Sequence, residues 1–282
     1  MNESAFEGVG GLKIFTRSWE PEGKPRGVVV IVHGFNSHSG QYLWTAEQFA
    51  SNGLAVYALD LRGRGRSEGE RYYADKMKDY TDDVQTLVTT AKSENPGLPV
   101  FLLGHSAGGV ISCNYVLDHP SEVDGLICES FAYELPVPDI VLSFLKGLSY
   151  ITHHTHIFSL HNKDFSRDPA VVESMNDDIL IKGESQPAQT AKVLIDGARR
   201  LTDEFVNITL PVLILHGTED KATSPSGSQH FYEKAGSTDK TLKLYEGHFH
   251  DLLNDVDKEI VIADIQNWID ERIPAQQEAS AA

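Results

Sequence analysis

Cysteine is scarce in this chain: Cys113 and Cys128 are the only two among 282 residues. Two cysteines are too few for a disulfide framework, and both sit in apolar segments. Buried thiols in a reducing cytoplasm are the expectation. Positive charge is also short, with 24 Lys and Arg against 41 Asp and Glu and a net charge of −17. Such a surface repels phosphate backbones and anionic lipid heads, which argues against nucleic acid as a partner. The arginines of "LRGRGRSEGER" are a local exception and read as a solvated turn. Long apolar runs are missing too. No window approaches the ~18 apolar residues of a membrane span. The start, "MNESAFEGVGGLK", has neither a basic nor an apolar leader region. A cytoplasmic protein is therefore expected. The end, "PAQQEASAA", reads as a frayed tail.

What is present is ample core. Hydrophobic residues make up 40% of the chain, enough for one large domain or a domain carrying an insertion. "GVVVIVHG", "AVYALDLRG", "VFLLGHS", "GLICES" and "VLILHGTED" are short β-rich runs that end in Gly or turn residues. Each reads as a buried parallel strand. Helical patterns fill the gaps between them. Residues 79–93 put Tyr80, Val84, Leu87, Val88 and Ala91 on one face, with Asp79 and Asp82 or Asp83 at the N-terminus. Residues 258–272 put Val261, Ile265, Trp268 and Ile269 on one stripe. Strands alternating with helices predict a doubly wound, mostly parallel α/β sheet, with its working loops at the carboxyl ends of the strands.

One stretch breaks the rhythm. Residues 131–205 show no clear strand. "PDIVLSFLKGLSYI" is apolar nearly all round, either buried core or the lining of a greasy pocket. "DPAVVESMNDDILIKG" and "PAQTAKVLIDGARRL" are helical in tendency. The expected division is a core of residues 1–130 and 206–282 with a helical cap inserted at 131–205.

The pattern G-x-S-x-G occurs twice, as "GRSEG" at 65–69 and "GHSAG" at 104–108. Context separates them. A nucleophile elbow needs a strand before the serine, a helix after it and small residues in the turn. "LPVFLLGHSAGGVISCNYVL" supplies all three, whereas residues 65–69 lie in a charged, Gly-rich loop. Ser67 is a loop residue and Ser106 the candidate nucleophile. The N–H of Ala107 then opens the helix and faces the place where a carbonyl oxygen becomes negative. The N–H of Phe35, after the His33-Gly34 turn that ends an early strand, is the candidate second donor.

A serine at its free pKa is a poor nucleophile; it needs a base, and the base an orienting carboxylate. On this fold they follow the serine in the order acid, then His. "PVLILHGTED" ends the next suitable strand, and Asp220 is preferred over its neighbour Glu219. The base then falls in "YEGHFHDLL", where His248 and His250 are equivalent by local chemistry. His216 belongs to the turn before the acid. His153, His154, His156 and His161 lack a metal-site spacing such as H-E-x-x-H and read as surface or cap residues. "GRGRSEG" lacks the P-loop Lys and the dinucleotide fingerprint, so no metal or cofactor is expected.

These residues together resemble the α/β-hydrolase family, and within it the monoacylglycerol lipase and lysophospholipase group. The resemblance runs from about Phe6 to Ile273 and rests on "HGFNSHSGQY", "LDLRGRGRSEG", "LLGHSAGG", "FSRDPAVVESMNDD", "LILHGTEDKATSPSGS" and "YEGHFHDLLND". The family places its base two variable positions after a Gly, which implies His250 rather than His248. It likewise implies Asp220 as the acid, Phe35 and Ala107 as oxyanion donors, and a cap that admits a small hydrophobic ester. Membrane contact would be transient at most and made through that cap. The family's oxyanion loop usually reads H-G-x-G-E-H-S-G-R-Y. Here Asn36 replaces the second Gly, Ser37 the Glu and Gln41 the Arg, and Ala107 stands where Met is common. The expected activity is a serine carboxylesterase of the monoacylglycerol lipase type. The same triad would also serve aryl esters, lactones or amides, and a non-catalytic binding protein is the alternative of another class.

Overall fold

Runs of Val, Ile and Leu cannot face water on either side of a strand, so they assemble into a sheet covered on both faces. The computed structural model describes residues 1–138 and 146–274. Among them, eight strands form one sheet: β1 (Asn2–Glu7), β2 (Lys13–Trp19), β3 (Gly27–Val32), β4 (Leu54–Leu59), β5 (Val100–His105), β6 (Gly125–Glu129), β9 (Val212–Gly217) and β10 (Lys240–Tyr245). Their order across the sheet is β1-β2-β4-β3-β5-β6-β9-β10. From β4 to β10 all pairings are parallel, while β1 and β2 join antiparallel at one edge. This is the mostly parallel, doubly wound sheet that the sequence predicts. The antiparallel edge pair is an addition. β1, "NESAFE", is a polar edge strand with no apolar run to announce it.

Alternation within one strand divides the core. Val28, Val30 and Val32 of β3 pack on one side with α2 (Met77–Glu94) and α3 (Ala107–Asp118). Val29 and Ile31 pack on the other with α1 (Leu43–Ser51) and the C-terminal helix Lys258–Asp270. Each fully buried Val contributes about 1.5–3 kcal/mol. The chain leaves β3 for its neighbour β4, then crosses back to β5 on the other side. The carboxyl ends of β3 and β5 therefore flank the switch point, where open α/β sheets bind ligands.

Between β6 and β9 the chain carries α4 (Pro169–Asp177) and α5 (Ala188–Glu204), both in stretches that read as helical. It also carries β7 (His156–Phe158) and β8 (Gln186–Pro187), an antiparallel pair, where no strand was expected. Strands of three and two residues are too short to leave a periodic signature. Half of the apolar stretch 138–151, residues 139–145, lies outside the described residues. At its described end Tyr150 and Ile151 are exposed. The expected frayed tail likewise lies outside them, apart from Pro274. α6 (Pro225–Lys234) follows β9, and α7 (Lys258–Asp270) ends the described fold.

The arginine loop departs from its expected solvated form. Arg64 is fully buried and Arg62 nearly so. Arg62 Nε donates to Asp83 Oδ2 at 2.9 Å, so Asp83 serves as an ion partner inside the fold rather than as a helix-end charge. Ser67 Oγ donates to the Asp60 carbonyl at 2.6 Å and accepts the Phe15 N–H at 2.8 Å, tying the loop to β2. Of the four arginines, Arg66 and Arg71 keep substantial exposure, Arg66 beside Glu3. Cys113 and Cys128 are buried free thiols whose sulfurs lie 3.7 Å apart.

Candidate active site

The elbow shows why its serine is flanked by glycines. Ser106 has φ 54° and ψ −119°, a strained backbone for an L-residue. A Cβ on Gly108 would lie 2.1 Å from the Val32 carbonyl oxygen, and one on Gly104 would lie 2.5 Å from the Gly108 carbonyl oxygen. β3, β5 and α3 approach so closely here that only glycine fits. The Ser106 N–H donates to the Glu129 carbonyl at 2.9 Å, which fastens the turn to β6.

The turn after β3 passes beside this serine. A Cβ on Gly34 would come within 2.8 Å of Ser106 Cβ. His33 holds the turn in shape: its Nδ1 lies 2.7 Å from the Gly34 carbonyl and its Nε2 accepts the Leu61 N–H at 2.9 Å. Burial lowers the His33 pKa to about 4, which keeps the ring neutral and able to play both parts. Ala107 is the first residue of α3, so its N–H has no carbonyl one turn earlier. Among the described residues, neither the Phe35 nor the Ala107 N–H donates to a backbone acceptor.

Asp220 and His250 come together from the ends of β9 and β10. His250 Nδ1 lies 2.7 Å from Asp220 Oδ2, and both side chains are fully buried. The same carboxylate collects four more contacts. Oδ1 accepts the N–H groups of Ala222 at 2.8 Å and Thr223 at 3.0 Å. Oδ2 accepts the Thr223 hydroxyl at 2.7 Å and faces His216 Nε2 at 3.0 Å. Burial works against the Asp220 charge, yet the His250 and His216 imidazoles hold its carboxyl well below the usual range. Glu219 points to solvent. The His250 ring is fixed edge-on by Phe165 at 4.9 Å and packs 4.9 Å from His105 of the elbow strand. Its Nε2 is buried with no partner among the described residues.

His248 turns elsewhere. Its Nδ1 is 3.8 Å from Asp255 Oδ2, and its ring lies beside Tyr245. It is 7% exposed, not partly solvated as its loop position suggests. Arg167, from the segment between β6 and β9, pairs with the same Asp255 at 2.8 Å. Burial, then the Arg167 charge, lowers the His248 pKa. His216 and Thr223 are the residues that sequence reasoning missed. Their only signal was proximity to the acid. The four histidines of the inserted segment are exposed, and His154 pairs with Glu70 at 2.8 Å.

Beneath the pair lies a buried polar cluster of His105, Glu129 and Asp251, with ligand-type atoms within 4.8 Å of one another. Burial, then the Asp251 charge, pushes the Glu129 carboxyl well up. Burial likewise pushes Asp251 up to about 6. Two carboxylates cannot both ionise in so dry a place, so the cluster holds a proton. Burial and the adjacent His250 keep His105 well below its usual value, hence neutral. Tyr42 OH lies 3.0 Å from His105 Nδ1.

Comparison with known proteins gives a consistent picture. The family described as "Serine aminopeptidase, S33" matches residues 23–257. A monoacylglycerol lipase of Mycolicibacterium smegmatis is 34% identical over 270 residues, covering 95% of this chain and 96% of that one. A caffeoylshikimate esterase of Arabidopsis thaliana is 32% identical, covering 96% of this chain and 86% of that one. The crystal structure of a Paleococcus ferrophilus monoacylglycerol lipase superposes with a TM-score of 0.83 at 28% identity, covering 92% of this chain and 99% of that one. Among the described residues, no helix is long and apolar enough to cross a membrane.

Proposed function

The chain belongs to the serine aminopeptidase S33 family of α/β-hydrolases, and from that premise we propose that it is a serine ester hydrolase acting on monoacylglycerol-like substrates. Relatives that carry the name monoacylglycerol lipase, matched over nearly the full length of both chains, support the ester class. The observation that carries the reading is the conjunction of a strained Ser106 elbow with a buried Asp220–His250 pair at the same end of the sheet.

In this reading Ser106 Oγ attacks the ester carbonyl while His250 Nε2 takes its proton. Asp220 holds the imidazole by Nδ1 and stabilises its cationic form. The Phe35 and Ala107 N–H groups receive the oxyanion, each worth about 2.7–4 kcal/mol in the transition state. The intermediate collapses; the C–O bond to the alcohol breaks and the alcohol leaves with the proton from His250. Water then attacks the acyl-Ser106 ester, giving its proton to His250, and the fatty acid departs as Ser106 recovers its proton. In this reading residues 131–205 act as a cap that takes the acyl chain, at about 25 cal/mol per Å² of apolar area buried. The enzyme works in the cytoplasm and meets membranes only transiently, through that cap.

The test is a substrate panel of monoacylglycerols, lysophospholipids, aryl esters and lactones, each assayed for kcat/KM. Monoacylglycerols should lead. Lactones or amides turning over orders of magnitude faster than every ester would overturn the substrate assignment.

A further inference from the structure

Arg64 is fully buried, and a buried guanidinium needs a partner. Its Nη1 pairs with Glu184, which is 4% exposed and comes from the segment inserted between β6 and β9. Its Nη2 donates to Gln186 Oε1 at 2.6 Å, and Gln186 Nε2 donates to Glu184 Oε1 at 2.8 Å. The guanidinium also stacks on the Phe35 ring, 4.1 Å from its centroid. Glu184 Oε1 then accepts the backbone N–H of Asn36 at 2.9 Å. Asn36 follows Phe35 directly and has φ 50°, a conformation that a non-glycine residue keeps only when its surroundings enforce it. Its side chain is tied to the same segment, with Nδ2 donating to Asn162 Oδ1 at 2.9 Å and to the Leu160 carbonyl at 3.2 Å.

Phe35 is thus held on two sides. Arg64 fixes its ring, and Glu184 fixes the peptide that follows it. Only the φ and ψ of Phe35 separate that peptide from the one carrying the Phe35 N–H. We propose that Arg64 and Glu184 are positioning residues that aim the Phe35 N–H at the developing oxyanion, so that the inserted segment completes the oxyanion hole. The proposal rests on Phe35 being an oxyanion donor. It gives the segment a part in the chemical step as well as in substrate binding.

Removing one charge would strand the other in the core, so the test uses paired neutral substitutions. Arg64→Met with Glu184→Gln keeps an acceptor for the Asn36 N–H. Arg64→Met with Glu184→Leu removes it. The two proteins carry the same net charge. With a p-nitrophenyl butyrate assay, the Leu pair should show a kcat about 10²-fold below the Gln pair, the scale of a lost or misplaced donor. KM should agree within about threefold. Affinity for a trifluoromethyl ketone transition-state analogue should fall in step with kcat/KM. Arg71→Ala is the control: Arg71 Nη2 donates to the Leu180 carbonyl at 2.6 Å, a tie to the same segment that does not touch Phe35 or Asn36. Its kcat should match wild type. Equal kcat in the two paired variants would overturn the inference, as would an Arg71→Ala loss equal to that of the Leu pair. Should the paired variants not fold, Glu184→Asp keeps the charge, shortens the reach by one methylene and should lower kcat at constant KM; an unchanged kcat overturns the proposal. Failure of wild-type Ser106 to react with a fluorophosphonate would instead remove the hydrolase reading itself, so the two failures are distinct.

Discussion

Asp220→Asn separates a carboxylate that sets a tautomer from one that only fills space. Oδ1 of Asp220 accepts two backbone N–H groups, from Ala222 and Thr223, so an Asn must keep its carbonyl oxygen there. Its NH2 then occupies the Oδ2 position, 2.7 Å from His250 Nδ1 and 3.0 Å from His216 Nε2. An NH2 donates, so His250 Nδ1 must give up its proton and accept. The proton moves to Nε2, the nitrogen that should receive the serine proton. A base in the wrong tautomer loses roughly 10⁴ in kcat in the serine proteases. Here the expected loss is about 10³–10⁴, or about 4–5 kcal/mol of transition-state stabilisation. The assay is steady-state hydrolysis of a p-nitrophenyl ester at pH 7, with near-UV circular dichroism to verify the fold. Glu219→Gln, on an exposed side chain, should stay within twofold of wild type. A folded Asp220→Asn protein with kcat within tenfold of wild type would refute the reasoning.

Three further outcomes follow from the same geometry. His250→Ala should lower kcat at least about 10³-fold while His248→Ala keeps it within about tenfold, read in the same ester assay; the reverse order would transfer the base to His248. Gly108→Ala should destabilise the fold by about 3 kcal/mol in urea titration, because its Cβ meets backbone carbonyls that cannot step aside. Asp251, pushed up to about 6, binds its proton more tightly folded than unfolded. Its contribution is full below about pH 4 and is lost as pH rises through 6, on the order of 3 kcal/mol. The urea stability of Asp251→Asn should therefore change less than that of wild type between pH 4.5 and 7.

Much of this site is legible because parallel strands buried on both faces leave apolar runs, and each run ends where a working loop begins. The elbow is legible because close packing of β3, β5 and α3 excludes every residue but Gly at 104 and 108. Other features leave no local trace. Arg64 reads as a solvated loop arginine, since its partners Glu184 and Gln186 lie 120 and 122 residues away. His216 reads as a turn residue, because only the folded strand end brings its Nε2 to Asp220. The two imidazoles of "GHFH" differ only in what surrounds them. Asp220 and Phe165 receive His250, whereas Asp255, Arg167 and Tyr245 enclose His248. β1 escapes because a polar edge strand leaves no apolar run in its sequence.

Reaction of the wild-type protein with a fluorophosphonate probe, followed by peptide mass spectrometry, tests the central claim most directly. A single phosphonyl adduct on Ser106 is expected, with Ser67 unmodified and labelling abolished in Ser106→Ala. Absence of labelling in folded wild-type protein, or an adduct on any other serine, would contradict the account.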